Sequence, residues 1–169
     1  MFGLYEAFPQ NVHKIEHYVT PISSRKLEQT LIQLLHGLNK NTLRLEDVGM
    51  PSMTNCDTVF EFGIAEDNGF NYLDGEETAK ALRIIQKSPV QILDFLCAVR
   101  YHRIVNERRR PLKCDYYMLR FTFNLKFLEL QLFHERGPMH VLPEELVDFV
   151  IMKINEAFRR RVLKPLKKG

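Results

Sequence analysis

His13-Lys14-Ile15-Glu16-His17 matches the H-x-x-E-H pattern of inverted zinc peptidases. On a helix, histidines four residues apart share a face and can place two imidazoles on Zn²⁺. Glu16 beside them would serve as general base for a metal-bound water. The flanks oppose that geometry, because the segment lies between Pro9 and Pro21 and Tyr18-Val19-Thr20-Pro21 reads as extended. His13, Glu16 and His17 are thus the metal candidates of the chain. Their ordinary reading is a solvent-facing imidazole pair, and no bound metal is expected.

Other chemistry is sparser. Cys97, His102, Asp94 and Asp115 would converge if two neighbouring strands paired, which makes a thiol nucleophile conceivable. Cys97 and His102 are an odd number of residues apart, so a strand sends them to opposite faces and leaves Cys97 as a small buried hydrophobe. His134 and His140 flank Gly137-Pro138, where they could line a pocket with Glu135 and Arg136 or simply decorate a turn. The eight glycines form no G-x-G, and there is no G-K-[ST] and no G-x-S-x-G elbow. No cofactor is implied.

Positive charge is the stronger signal. The 169 residues carry a net charge of +3, but residues 1–90 hold 8 Lys and Arg against 12 Asp and Glu, whereas residues 91–169 hold 16 against 9. Two runs concentrate the excess. Arg100, Arg103, Arg108, Arg109, Arg110 and Lys113 face only Glu107, and Arg159, Arg160 and Arg161 begin a basic tail, residues 159–169, that contains no acid. Either run could hold an anionic partner, or could neutralise the acidic half of the same or a neighbouring molecule. Tyr101, Tyr116 and several phenylalanines share this half, so bases could stack beside the cations. Strict alternation instead sends Phe121 and Phe123 into a core, and no RNP-like motif is present.

These residues must be positioned by a fold that the periodicity outlines. Leu27, Leu31, Leu34, Leu35 and Leu38 predict a helix within 23–39, Asp74 and Glu77 a capping box for a second, and Pro143-Glu144-Glu145 the start of a third. Alternation predicts strands over 57–65, 95–105, 117–125 and 128–132, with a weaker one over 42–48. Arg108-Arg109-Arg110-Pro111 then reads as the tip of a hairpin. The expected class is α+β, a mostly antiparallel sheet with about three helices on one face, as a single domain over 1–169. Its first two thirds could trace a ferredoxin-like βαββαβ unit if residues 1–8 form a strand.

Three widely spaced cysteines argue against a disulfide scaffold, no apolar run spans a bilayer and the first residues lack the pattern of a signal peptide, so a cytoplasmic protein is expected. The first functional reading is a non-enzymatic association module, a homo-oligomer or a subunit of a complex. A sheet edge within the aromatic strands of residues 113–134 would supply the dimer contact. Nucleic-acid binding through the basic hairpin and tail is the second reading, and a small-molecule or metal-dependent enzyme the third.

Overall fold

A strand that alternates apolar and polar residues has one face it must bury, and the strands of this chain share that face. The computed structural model describes residues 3–49 and 55–166. Nine strands form one sheet: β1 Lys14–Val19, β2 Thr42–Arg44, β3 Cys56–Glu66, β4 Gly69–Tyr72, β5 Ile92–Val105, β6 Arg108–Pro111, β7 Asp115–Asn124, β8 Phe127–Arg136 and β9 Lys164–Pro165. Their order is β2-β3-β5-β7-β8-β1-β9, with β4 also on β3 and β6 also on β5. Every named pairing is antiparallel.

Opposed residues share a face, so the registers Phe95↔Leu119, Phe121↔Leu130 and Tyr18↔Leu128 stack one apolar layer across the sheet. Phe60, Phe62, Phe95, Cys97, Leu119, Phe121 and Leu130 in that layer are fully buried. Above it lie α1 Ser24–Leu38, α3 Gly75–Lys87 and α4 Pro143–Ala157, while α2, Leu45–Val48, is a single turn. The opposite face is partly open. Residues 3–13 cross it: Gly3 links Ala65 and Asp94 through its backbone where β3 and β5 part, and His13 reaches Leu132.

Local chemistry sets the helix ends. Ser23 caps α1 by accepting from the Lys26 amide at 3.3 Å, and Asp74 caps α3 by accepting from the Glu77 amide at 2.9 Å. The reciprocal half of the Asp74–Glu77 capping box is not made: the Asp74 amide donates instead to the Tyr72 carbonyl at 2.9 Å, and Glu77 Oε2 is buried without a partner. At α4, Pro143 occupies the first turn and Glu145 accepts from the Leu142 amide at 3.1 Å.

Four expectations are corrected. Met1 and Phe2 lie outside the described residues, residues 3–8 form no strand, and β1 pairs β8 and β9 far from β3, so no ferredoxin-like unit is built. The weak strand over 42–48 stops at Arg44, because Leu45 and Val48 turn inward as α2. The hairpin turns at Asn106-Glu107, both with positive φ, which leaves Arg108–Pro111 as the returning strand instead of the tip. Finally, β7 and β8 are both interior, so the aromatic strands offer no edge for a dimer. No helix among the described residues is long and apolar enough to cross a membrane.

Glu28 is the exception in the apolar packing of α1. Its carboxylate is fully buried, accepts from the Val90 amide at 2.8 Å, and has a second oxygen without a partner. Burial pushes its pKa up to about 7, against the smaller opposing effects of the Val90 amide and Arg25. The folded state therefore holds this proton more tightly than the unfolded chain, whose Glu titrates near 4.3. Stability from this group is complete below about pH 4 and is lost as pH rises towards 7, in total on the order of 3 kcal/mol. Urea unfolding between pH 4 and 8 should show this decline in the native protein, and Glu28→Gln should remove it and be the more stable form at pH 8.

Candidate anionic-partner interface

Of the polar residues that suggested catalysis, Asp94 and Asp115 hold segments of chain against the sheet, and among the described residues His17, His102 and Cys97 bond to neither. His13 and His17 lie on extended chain, where four residues span about 13 Å, too far for two imidazoles on one ion. Glu16 points to the helix side and pairs with Lys14 at 2.9 Å, whereas His17 is on the open side with Glu129 at 2.8 Å. His13 stacks on Phe133 and accepts from the His134 amide at 2.9 Å. No group of three His, Cys, Asp or Glu among the described residues is arranged to hold a metal. The zinc arrangement fails because the segment is a strand.

Cys97 is sealed under the helices, and burial raises its thiol well above the ordinary range, so it stays protonated. Asp94 is equally buried on the other face. It receives two bonds of 2.8 Å from Arg120 and one of 2.7 Å from the Tyr5 amide, and the Arg120 guanidinium lies over Phe8 at 4.4 Å. This ion pair holds residues 3–8 against the sheet.

Asp115 is the corresponding fastener at the hairpin end. Its carboxylate accepts from Tyr101 Oη at 2.5 Å, from the Met139 and His140 amides at 2.6 and 2.9 Å, and pairs with His134 Nε2 at 2.8 Å. Gly137, at φ +114°, lets the chain pass where a Cβ would collide with Asp115. Burial and the neighbouring Tyr117 and Asp115 push the Tyr101 phenol far up, so it remains a donor; Tyr101 is not the exposed ring that the sequence suggested. His134 and His140 therefore belong to a loop anchor. Spacing could not reveal this role for Asp115, because its partners come from three separate segments.

The cations fall into groups that the sequence merges. In the β5–β6 hairpin the registers are Arg103↔Arg110 and Val105↔Arg108 on one face, and His102↔Pro111 and Ile104↔Arg109 on the other. On that second face the arginines are engaged: Arg109 lies 3.9 Å from Asp57 and 3.3 Å from His102 Nδ1, and Arg100 pairs with Glu61 at 3.2 Å. Arg103, Arg108, Arg110 and nearby Lys113 are exposed, and no described carboxylate lies within 4.0 Å of them. Arg103 and Arg110 stand directly opposite each other, an arrangement of like charges that destabilises a strand pair.

Arg159, Arg160 and Arg161 follow α4 at the other end of the sheet, roughly 30 Å away along the ten residues of β7. Their segment is docked, since Val162 and Leu163 are buried and β9 pairs β1. Lys167 and Lys168 lie outside the described residues. Comparison with protein-family models, curated proteins and solved structures finds no match to this chain.

Removing the Asp115 carboxylate would leave the buried Tyr101 Oη and the half-buried Met139 and His140 amides without an acceptor. Asp115→Ala should therefore cost about 3–5 kcal/mol in urea unfolding. Tyr101→Phe, which removes only one donor, should cost about 1–2 kcal/mol. Equal losses in the two variants would contradict the role of Asp115 as the shared acceptor.

Proposed function

We propose that the protein is a non-enzymatic association module and that the free-arginine face of the β5–β6 hairpin binds an acidic surface of a protein partner. The observation that carries this reading is the opposed Arg103–Arg110 pair with Arg108 beside it, three guanidinium groups with no described carboxylate in range. Their mutual repulsion is a standing cost that a carboxylate-rich partner would relieve, and the planar guanidinium fork matches carboxylates in paired bonds. The hairpin grows out of the sheet, since β3 pairs β5 as far as Arg103 and β7 pairs it as far as Val99.

Nucleic acid is the second reading, favoured by the ribbon form of the hairpin, since a two-stranded ribbon fits the major groove of DNA. The cations count against it. The two basic regions sit at opposite ends of the sheet, and Arg100 between them is engaged by Glu61, so no continuous track follows a phosphate backbone.

The test compares a Glu-rich 15-residue peptide with a 20-base-pair duplex at physiological salt. The peptide should bind, and replacing Arg103, Arg108 and Arg110 together by Gln should weaken it about tenfold or more while leaving thermal unfolding unchanged. Submicromolar duplex binding that is lost in the same variant, with a log–log salt slope flattened by about two to three, would put nucleic acid first. Failure of both probes to bind would remove the hairpin as an interface. Light scattering shows whether a second copy can be the partner: a mass near 20.0 kDa across dilution assigns a different protein.

A further inference from the structure

A second cationic site lies at the opposite end of the sheet and owes nothing to the hairpin. An open cleft of about 560 Å³ is lined by Lys126, Arg160, Arg161 and Lys164 together with Phe127 and the Val19–Pro21 stretch. Three separate pieces of chain bring the four cations together. Lys126 occupies the two-residue turn between β7 and β8 at φ +66°, and its carbonyl accepts from the Thr20 amide at 3.0 Å. Arg160 and Arg161 follow Arg159, which leaves α4 at φ +56°. Asn155 then accepts from the Val162 and Leu163 amides, both at 2.9 Å, and so fixes the turn that carries the arginines. Lys164 sits on β9 directly beside Val19, and Val19 is directly beside Phe127, so these three side chains share the open face of the sheet.

No described carboxylate lies within 4.0 Å of any of the four cations. Asp148 and Glu156 line the neighbouring depression along α4, on the far side of Arg160 and Arg161, and make no ion pair with either. The rim is apolar and uncovered: Leu125, at the tip of the β7–β8 turn, is 84% exposed and Phe127 is 47% exposed. A turn tip normally carries Gly, Asn or Asp, and no contact among the described residues accounts for a leucine there.

We propose that this cleft binds a phosphorylated ligand, with a multiply charged phosphate group held by Lys126, Arg160, Arg161 and Lys164 and its apolar part against Phe127 and Leu125. Concentrated positive charge without an internal acid selects a polyanion, and the guanidinium groups match phosphate oxygens in paired bonds. The rim explains why the ligand should carry an apolar part. Such a phosphate can arrive on a soluble metabolite or on the headgroup of an anionic lipid, where basic residues beside exposed apolar ones favour the membrane surface.

The experiment titrates the full chain with inorganic pyrophosphate by calorimetry, and tests sedimentation with phosphatidylcholine vesicles with and without phosphatidic acid. Pyrophosphate should bind once per chain. Replacing Arg160, Arg161 and Lys164 together by Gln should weaken that binding about tenfold or more, whereas the triple Gln variant of the hairpin should leave it unchanged. Lys126→Gln alone, in the β7–β8 turn and on a different piece of chain from the other three cations, should shift affinity in the same direction, so the outcome does not hang on one variant folding. Vesicle binding that needs phosphatidic acid and is lost in Leu125→Ser would support the site with a lipid as its source. Pyrophosphate binding without vesicle binding would support it with a soluble ligand. Absence of both at millimolar concentration, full affinity in the cleft variant, or loss in the hairpin variant would overturn the proposal.

Discussion

One face of the central strands has to be removed from water, and the architecture follows from that constraint. β5 and β7 lie at the middle of the sheet and place Phe95, Cys97, Leu119 and Phe121 on the same side. A layer this wide is covered only when α1, α3 and α4 all lie across it, each contributing the apolar stripe that its own periodicity provides. The three helices cover one face alone, so the other face is left to irregular chain and to charged side chains. The cleft beside Lys164 and Phe127 opens on that other face, whereas Arg103 continues the helix-side face of Val99 and Tyr101 and is exposed at its end.

Two buried carboxylates fasten the irregular segments that the hydrophobic layer cannot hold. Asp94 draws in residues 3–8 through Arg120 and the Tyr5 amide, and Asp115 draws in residues 137–141 through two amides, Tyr101 and His134. Both are 0% exposed, and several donors surround each of them, as a buried polar group requires. Glu28 receives a single amide in an equally buried place, and its pKa rises accordingly. Glu28 thus differs from the two aspartates in leaving one buried carboxylate oxygen without a donor.

The arginines divide by the same logic. Arg100, Arg109 and Arg120, on the open side of the sheet, find Glu61, Asp57 and Asp94 on other strands and become part of the structure. Those on the other hairpin face, and those after α4, meet no acid within ion-pair distance among the described residues. Free cations therefore collect at the two ends of the sheet, where strands run out and no neighbour remains to supply a counter-charge.

Sequence periodicity by itself determined the α+β class, the antiparallel sheet, the helix beginning after Ser23, the Asp74 cap and the burial of Phe121 and Cys97, because spacing and cap chemistry are local. It also located the basic stretches. Only the tertiary structure decided that His13 and His17 lie on a strand, that β7 and β8 are interior, and that Asp115 joins Tyr101, His134 and the residue 137–141 loop. The division of nine candidate arginines and lysines into engaged, free and docked groups was likewise invisible in one dimension. Adjacent arginines such as Arg109 and Arg110 point to opposite faces of one ribbon, and whether each meets a carboxylate depends on a strand tens of residues away in the chain.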